Sequence, residues 1–384
     1  MMLGYLLARQ GIDVTVLEKH ADFLRDFRGD TVHPSTLQVL AELGLLDRFL
    51  QRPHQELRQV KVEIGNRAFR VADFARVRTR CRFIAFMPQW DFLDFLADEA
   101  RALPNFHLLM STEATKLLTR DGRVTGVRAM GRDGELRLRA SLVVAADGRT
   151  SILRHQAGLE VEDLGAPIDV LWFRIGRVGD AVEQTLGRVD AGRFMITIDR
   201  GDYWQCAYVI RKGAADALKA GPIEPFKQAV AAAAPYLGPS IDDLRSWDDV
   251  KLLSVSVDRL TRWSQPGLLC IGDAAHAMSP VGGVGINMAI QDAVATANLL
   301  GGKIKAGSLA DADLDLVRRR RLFPTRLTQA FQVFVQNKVL VPVLQRKPFH
   351  VPLVVRLLDR LPLLRALPAR FIGLGVLPEH VQER

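Results

Sequence analysis

Cysteine is scarce in this sequence, with only three residues among 384. Cys81, Cys206 and Cys270 are far apart and odd in number, which excludes the disulfide framework that small secreted domains use. Their spacing offers no metal-ligand pattern, so no metal site is predicted. Isolated thiols of this kind fit a reducing compartment, and we therefore expect a cytoplasmic protein.

Long apolar runs are missing as well. No stretch of about 18 consecutive apolar residues occurs, so no transmembrane helix is predicted. Residues 1–7 have neither the basic start nor the cleavage site of a secretory signal. Acidic residues are outnumbered, 43 Asp and Glu against 52 Lys and Arg, but the positive charge is dispersed. Because no nucleic-acid-binding motif accompanies it, a nucleic-acid partner is not expected.

What the sequence does have is length and one unusual stretch. A chain of 384 residues predicts two domains, or one domain with an insertion. The apolar run 267–271 predicts a buried strand, and residues 288–300 predict an Ala-rich helix. The loop between them contains Asp273 and several glycines, which let a backbone approach a flat or phosphorylated ligand. The start of the helix offers unpaired N–H groups to the same ligand.

This stretch resembles a known motif. Gly-Asp-Ala-Ala-His at 272–276, followed by Pro-x-x-Gly-x-Gly-x-Asn at 280–287, is similar to the second flavin-contacting motif of the FAD-dependent aromatic hydroxylases, the para-hydroxybenzoate hydroxylase-like flavoprotein monooxygenases. The resemblance implies that Asp273 holds the ribityl chain of FAD. It implies cofactor contacts for Pro280, Gly282, Gly283, Gly285, Ile286 and Asn287, with Pro280 and Gly282 facing the flavin ring. His276 lies within the motif; a structural histidine is the favoured interpretation, and a catalytic one the alternative.

The N-terminal residues predict part of a dinucleotide-binding unit. Residues 1–10 predict a helix, and residues 12–18 a strand ending at Glu18. An acidic residue at that position of a βαβ unit binds ribose hydroxyls. The sequence starts about where a G-x-G-x-x-G loop would end, so the preceding strand and pyrophosphate loop are not part of it. Two interpretations stay open: the start was placed at an internal methionine, or this form lacks these elements, in which case we expect FAD affinity to be reduced.

Three further cofactor contacts are implied by the resemblance. Arg28 lies where the family has a flavin- or pyrophosphate-contacting arginine, although a solvated surface residue is equally compatible with the spacing. Gln89 begins a Gln-x-x-x-Leu stretch, similar to the family's glutamine element at the ribityl or phosphate region. Asp147 and Gly148 resemble the family's Asp-Gly motif, associated with FAD and NAD(P)H. The same residues fit a strand–turn–helix with Ser151 as N-cap, and the two interpretations are compatible.

The amino-acid composition changes between residues 166 and 263, where aromatic and β-branched residues predict antiparallel strands. In the resembling family such a sheet forms one wall of the substrate pocket. Trp172, Tyr203 and Tyr208 are candidate substrate contacts, with sheet core as the alternative for each. We therefore predict an α/β fold with a Rossmann-like FAD-binding domain, an inserted antiparallel-sheet substrate domain and a helical C-terminal tail. The predicted bounds are 1–165 and 264–310 for FAD binding, 166–263 for the insertion and 311–384 for the tail.

The tail combines apolar residues with arginines. Residues 311–335 predict one long helix, in which the run Arg318–Arg321 is expected to be solvated. Arg356 and Arg360 fall on one face of a later helix, opposite a stripe of leucines. This pattern suits peripheral membrane contact or an apolar substrate mouth. Packing against the body of the protein or against a second copy in a homodimer is the alternative that we favour.

The function implied by the resemblance is that of an FAD-dependent monooxygenase. Such an enzyme takes hydride from NAD(P)H and uses O2 to hydroxylate an aromatic or similarly electron-rich substrate. No Ser-His-Asp or metal-ligand arrangement competes with this interpretation. Two alternatives stay open: a flavin-dependent reductase or desaturase of a prenyl-like lipid, and a non-catalytic form that lacks the pyrophosphate loop.

Overall fold

The computed structural model describes residues 1–24, 31–65, 67–178, 187–190, 192–345 and 351–382. The helices of this part of the chain are α1 (Met2–Arg9), α2 (Pro34–Glu42), α3 (Leu46–Phe49), α4 (Gln89–Arg101), α5 (Ile152–Gln156), α6 (Ala215–Lys219), α7 (Glu224–Ala233), α8 (Gly285–Lys305), α9 (Asp315–Val335), α10 (Val341–Leu344), α11 (Leu353–Arg360) and α12 (Ala366–Gly373).

The strands are β1 (Val14–Leu17), β2 (Thr31–Val32), β3 (Gln55–Leu57), β4 (Gln59–Ile64), β5 (Arg67–Asp73), β6 (Ile84–Phe86), β7 (Phe106–Leu109), β8 (Glu113–Arg120), β9 (Arg123–Gly131), β10 (Gly134–Arg139), β11 (Val143–Ala145), β12 (Val161–Asp163), β13 (Ile168–Gly176), β14 (Gly187–Asp190), β15 (Arg193–Asp199), β16 (Tyr203–Arg211), β17 (Lys251–Leu253), β18 (Asp258–Leu260), β19 (Ser264–Gln265), β20 (Leu268–Cys270) and β21 (His276–Ala277).

Parallel pairing occurs in two small sheets that lie in the predicted FAD-binding part. β1 pairs in parallel with β7, and β11 pairs in parallel with β20, which also carries β19 as an antiparallel edge. Helix α1 packs closely on β1, since a Cβ at Gly4 would lie 2.7 Å from Val16 Cγ2. Its apolar residues share one buried cluster with α2, α4 and α8. The predicted combination of parallel strands, packed helices and an antiparallel sheet is confirmed.

The largest sheet has seven strands in the order β17-β13-β16-β15-β14-β4-β5. Its neighbours are antiparallel except for β14 and β4. Most of its strands come from the predicted insertion, but β4 and β5 belong to the chain's first part. The antiparallel sheet is therefore not confined to residues 166–263, because the hairpin 59–73 extends its edge.

The two faces of this sheet have different coverings. Side chains alternate along each strand, and one set, including Phe173, Cys206 and Met195, packs against α7 in a single apolar cluster. The opposite set, including Val170 and Ala207, packs with Leu340 and with Val281 of the loop before α8. The sheet therefore presents one face to the loop predicted to contact the flavin.

Two expectations about the helices need correction. The regularly spaced leucines of residues 33–49 predict a single helix, but the structure divides it into α2 and α3, because Gly44 adopts a left-handed φ of 72° just after the end of α2. The arginine run of α9 was predicted to be solvated, but Arg321 is 1% exposed. Its guanidinium is buried because Asp292 of α8 lies beneath it, with Arg321 Nε 2.9 Å from Asp292 Oδ1.

The C-terminal helices leave many apolar side chains exposed. The large apolar residues of α9 that are exposed are Phe323, Leu327, Phe331 and Phe334. Those of α11, α12 and the turn between them are Leu353, Val354, Leu357, Leu361, Leu363 and Leu367. Among the described residues, no helix combines the length and apolarity needed to cross a membrane. Peripheral membrane contact and a homodimer both stay predictions for this surface.

Candidate functional site

Two carboxylates follow neighbouring parallel strands. Asp147 comes two residues after β11 and Asp273 three residues after β20, and these strands pair directly. Arg149 contacts the second of them, with Arg149 Nη2 3.3 Å from Asp273 Oδ2 and Nη1 3.3 Å from Ser254 O. The Asp273 side chain is 32% exposed, so one face of its carboxylate is open to a further hydrogen-bond donor. The structure thus brings two of the three predicted strand-end carboxylates together.

The loops that carry these carboxylates are held together by Arg154. Ser151 caps α5 by accepting a hydrogen bond from Arg154 N at 3.0 Å, as predicted. The Arg154 guanidinium then donates to Arg149 O, to Ala274 O and to Asp258, which it contacts at 3.3 Å. Gly148 adopts a φ of 88°, and this left-handed turn directs the chain from β11 towards α5.

The segment between β21 and α8, residues 278–284, is here named the glycine loop. Gly282 and Gly283 have φ values of 82° and 63°, which turn the chain into the N-terminus of α8. Within the described part of the chain no side chain caps that N-terminus, and the first turn of α8 contains no acidic residue. The partial positive charge of a 21-residue helix is therefore available to a bound anion or electron-rich ring.

Asn287 joins the glycine loop to the segment that begins at β2. Its side-chain oxygen accepts hydrogen bonds from His33 N at 2.9 Å and from Thr36 Oγ1 at 2.8 Å. Its side-chain nitrogen donates to Thr31 O at 3.1 Å, and Thr31 Oγ1 donates to Gly283 O at 2.8 Å. All donors and acceptors of this amide face protein groups, so Asn287 acts here as a structural link. Arg28, in the segment just before β2, lies outside the described residues.

His276 belongs to a buried ionic network. His276 Nε2 lies 2.6 Å from Asp292 Oδ2, which also accepts from Gly272 N at 3.0 Å. Arg321 contacts the other oxygen of Asp292. Burial by itself would raise the pKa of Asp292, but His276 and Arg321 outweigh it and lower that pKa. With its ring 1% exposed and packed on Trp263, His276 is closed off from solvent. This placement agrees with the structural interpretation of His276.

Glu18 and Gln89 lie on other elements. Glu18 follows β1, and its Oε1 accepts from His20 N at 3.0 Å, so it closes a turn within its own loop. β1 pairs with β7 in a sheet separate from that of β11 and β20, so Glu18 does not follow a neighbour of the strands that precede Asp147 and Asp273. Gln89 begins α4, whose apolar residues pack in the cluster shared with α1. Burial raises the pKa of Asp91, and the nearby cations Arg52 and Arg200, of which Arg200 follows β15, oppose that rise.

The three candidate substrate contacts are divided between the two faces of the sheet. Trp172 and Val281 of the glycine loop pack against the same apolar cluster, and the buried Trp172 Nε1 has no partner among the described residues. Tyr203 shares this face by alternation along β16. Tyr208 lies on the opposite face and contacts Phe226 of α7 with ring centroids 5.4 Å apart. Its position is explained by sheet core, because the sheet itself lies between Tyr208 and the glycine loop.

Two glutamines of α9, Gln329 and Gln332, contact the loop region together with Gln336, which lies just beyond the end of α9, and none of the three was predicted from the sequence. Gln329, Gln332 and Gln336 are fully buried, and their amides bond the backbone or hydroxyl groups of residues 277–281. Their spacing of three and four residues, together with Thr325 and Thr328, forms a polar stripe that a helical projection could have identified.

The residues present fit a flavin nucleotide. Asp273 offers a half-exposed carboxylate for sugar or ribityl hydroxyls, and the uncapped N-terminus of α8 offers N–H donors to the electron-rich side of a flat ring. At Gly282 the glycine loop has no side chain beyond Cα, so a planar group can approach its backbone there, whereas Thr31 fills the corresponding side of Gly283. Among the described residues, no group of three His, Cys, Asp or Glu could hold a metal ion.

These features define a flavin-nucleotide-binding protein of the oxidoreductase class. The sequence model of the family described as "FAD binding domain" matches residues 1–330. The chain belongs to this family, that of the FAD-dependent aromatic hydroxylases and monooxygenases. It is 30% identical over 372 residues to 6-methylpretetramide 4-monooxygenase of Streptomyces rimosus, covering 96% of this chain and 88% of that protein.

Other relatives support the same family. Rifampicin monooxygenase of Streptomyces venezuelae is 28% identical over 299 residues, which are 76% of this chain and 60% of that protein. The structure of OxyS anhydrotetracycline hydroxylase from Streptomyces rimosus superposes with a TM-score of 0.73 at 23% identity, covering 100% of this chain and 75% of that one. The structure of p-nitrophenol 4-monooxygenase PnpA from Pseudomonas putida superposes with a TM-score of 0.75 at 19% identity, covering 96% and 94%. At these identities the two structural matches establish the fold.

Proposed function

We propose that this protein is an FAD-dependent monooxygenase that uses NAD(P)H and O2 to hydroxylate an aromatic substrate. The observation that carries the proposal is the position of the glycine loop. The loop joins Asp273 to the N-terminus of α8 on one side, and on the other side its Val281 packs into the apolar cluster on the sheet face that carries Trp172. Cofactor and apolar substrate would therefore meet at this loop.

The residues would divide the work as follows. Asp273 would accept hydrogen bonds from the ribityl chain, Asp147 and Arg149 would lie beside the nucleotide, and Pro280 and Gly282 would shape the ring pocket. The N-terminus of α8 would stabilise negative charge that develops on the ring. FAD, when bound, supplies the hydride-accepting and oxygen-activating chemistry. The apolar sheet face would hold the substrate ring and exclude water from the reacting atoms.

The substrate class that we propose rests on the name of one relative. A protein named for 6-methylpretetramide is similar over 96% of this chain, which supports a polycyclic aromatic substrate. A monocyclic phenol is the contrasting case, since p-nitrophenol 4-monooxygenase has a comparable fold. We therefore propose a fused-ring phenol as the substrate class.

The first experiment measures FAD binding and oxygen consumption on the purified chain. Bound flavin is followed by absorbance and by fluorescence quenching. NADH and NADPH oxidation is then measured with and without anhydrotetracycline or p-nitrophenol. We expect FAD to bind, the tetracyclic phenol to stimulate oxygen uptake, and its product to gain one atom from isotopically labelled dioxygen.

Asp273→Ala tests the cofactor site itself. Loss of hydrogen bonds to a charged acceptor is expected to weaken FAD binding by roughly ten- to a hundred-fold. Asp216→Ala, an exposed position on α6, is the matched control and should bind FAD like the parent. Nicotinamide oxidation without an oxygenated product would instead support the reductase or desaturase alternative. A chain that binds no added FAD would contradict the proposal.

A further inference from the structure

Helix α9 is oriented with its polar side inwards. The residues of its outer face, Phe323, Leu327, Phe331 and Phe334, are exposed, whereas Gln329, Gln332 and Gln336 are completely buried. Burying an amide is unfavourable unless its donors and acceptor are all bonded. The buried amides of Gln329 and Gln332 must therefore be bonded to a specific set of polar groups, whereas Gln336, just beyond the helix, keeps an Oε1 without a partner among the described residues.

That set is the backbone around the glycine loop. Gln332 is the central member: its Oε1 accepts from Ser279 N at 3.1 Å, and its Nε2 donates to Ser279 O and to Val281 O, both at 2.9 Å. These three bonds use the acceptor and both donor hydrogens of one amide. Pro280, predicted to face the flavin ring, lies between the two residues that Gln332 contacts.

The other two glutamines extend this contact in both directions. Gln329 Nε2 donates to Ala277 O at 3.1 Å and to Asp258 O at 2.8 Å. Gln336 Nε2 donates to Ser279 Oγ at 2.5 Å. The charged group bonded to this row is Arg259, whose Nη1 lies 3.2 Å from Gln329 Oε1 and whose Nη2 is paired with Glu162. The row thus follows the chain from the end of β21 into the glycine loop.

The loop depends on these contacts because its own sequence supplies few. Strand β21 ends at Ala277, where its ladder with β18 stops. Beyond it, Pro280 lacks an N–H, and Gly282 and Gly283 lose more backbone entropy on ordering than other residues. The Gln332 amide bonds Ser279 as a neighbouring strand would, through both its N–H and its C=O.

We propose that Gln332, assisted by Gln329 and Gln336, is a positioning residue that fixes the glycine loop and thereby the seat of the flavin ring. It acts through the backbone of residues 279–281 and touches no reacting atom. The inference rests on the proposed function only in taking the glycine loop to face FAD. The loop positioning itself is measurable without cofactor.

Gln332→Glu is the sharpest test, because it keeps the shape of the side chain. The carboxylate can still accept a hydrogen bond from Ser279 N. Its other oxygen has no hydrogen to donate, so the bonds to Ser279 O and Val281 O are replaced by repulsion between oxygens. At neutral pH we expect faster amide hydrogen exchange across residues 278–284 of the apo protein. We also expect FAD affinity to fall roughly ten-fold or more, the factor that corresponds to one or two lost hydrogen bonds.

Acid pH and two further variants separate positioning from general damage. Protonation of the new carboxyl restores one donor, so both defects of Gln332→Glu should shrink as the pH is lowered. Gln332→Met removes the amide without adding charge; it should show both defects without that pH dependence, and it serves as the test if the glutamate variant does not fold. Gln228→Glu, exposed on α7, is the matched control and should change neither quantity.

Hydrogen exchange in the apo protein and FAD binding together distinguish failure of this inference from failure of the proposed function. If the parent chain binds no FAD, the proposed function fails, while the exchange comparison still decides whether Gln332 positions the loop. The inference is overturned if folded Gln332→Glu and Gln332→Met both keep the parent's loop exchange. It is also overturned if the parent binds FAD and both variants bind it within about two-fold of the parent.

Discussion

His33 is a buried histidine next to the candidate site. Its ring is inaccessible to solvent, Nδ1 lies 2.8 Å from Ile372 O, and Nε2 has no partner within the part of the chain that the structure describes. Burial lowers its pKa from 6.5 to about 4, and the contact with Ile372 O only partly opposes that change. The folded protein therefore keeps this imidazole neutral at pH values where an unfolded histidine is charged.

This difference predicts a stability that falls with acidification. Between pH 6.5 and about 4 the unfolded chain binds the His33 proton and the folded chain does not, so protonation favours unfolding as the pH drops through this window. The full contribution is about 3 kcal/mol. His33→Asn, which keeps a polar group near Nδ1, should lose that part of the slope in urea unfolding of the apo protein from pH 7.5 to pH 4.

Other groups titrate over the same range, so the comparison between proteins carries the result. His107→Gln, exposed on β7, should retain the parent's slope. Parallel curves for the parent and His33→Asn would contradict a buried neutral histidine.

At the scale of elements, the strands next to the site were predictable from sequence. The runs that become β11 and β20 are short, apolar and followed by an acidic residue and glycine or alanine, so both their burial and the positions of Asp147 and Asp273 could be predicted. The N-cap at Ser151 was predictable for the same reason, because a cap depends on residues only three apart.

The orientation of elements could not be predicted in the same way. Alternation along β16 separates Tyr208 from Tyr203, but only the packing of α7 decides which set faces the glycine loop. In α9 the usual rule is reversed, since its phenylalanines face outwards and its glutamines inwards. The burial of Arg321 could not be predicted from its neighbours in the sequence, because its partner Asp292 is 29 residues away, on a different helix.

Gly267, in the turn before β20, shows how strongly this element is constrained. Its φ is 74°, and a Cβ there would lie 2.0 Å from Val124 O of β9. Gly122, in the turn between β8 and β9, has a similar φ of 77° but no atom within 4 Å of the corresponding position. An alanine at either site adopts a left-handed backbone, which costs about 1–2 kcal/mol. Only at Gly267 does it also collide with backbone.

We therefore expect Gly267→Ala to lower the free energy of unfolding by about 2 kcal/mol more than Gly122→Ala does. Urea unfolding of the two variants checks the difference. Since β20 leads directly into Asp273, the Gly267 variant should also bind FAD more weakly, while the Gly122 variant should not. Equal destabilisation would mean that the β19–β20 turn can move away from β9.

At the scale of the whole molecule, pairing between distant segments could not be predicted. The hairpin of β4 and β5 joins β14, more than a hundred residues later, to extend the large sheet. A change in composition predicts a domain boundary at residue 166, which stays a prediction, and composition does not reveal which earlier hairpin extends the sheet. Pairings of this kind depend on the fold as a whole and not on any local pattern.

The C-terminal segment, residues 379–382, contacts helices from distant parts of the sequence. Val381 N donates to Glu42 Oε2 at 2.8 Å, and His380 Nδ1 lies 2.6 Å from Glu42 Oε1, a contact between positions 338 residues apart. On α8, Asn298 Nδ2 donates to His380 O at 2.8 Å. Glu379 is nearly buried beside Arg320 and Arg321. Residues 379–381 thus pack on α2 and α8, the helices that also flank the glycine loop.

Glu42→Ala should detach residues 380–382 from α2 without unfolding the protein. The variant loses both contacts with residues 380–381, whereas Glu379 and Asn298 keep theirs, so opening should remain local. We expect hydrogen exchange of peptides covering residues 378–382 to quicken roughly ten-fold, which corresponds to about 1.4 kcal/mol, with little change across α8. Glu99→Ala, which removes a pair with the exposed Arg48, is the control. Faster exchange throughout α2 and α8 would instead show that the tail supports the entire FAD-binding unit, because the opening would then be shared by every helix beneath it.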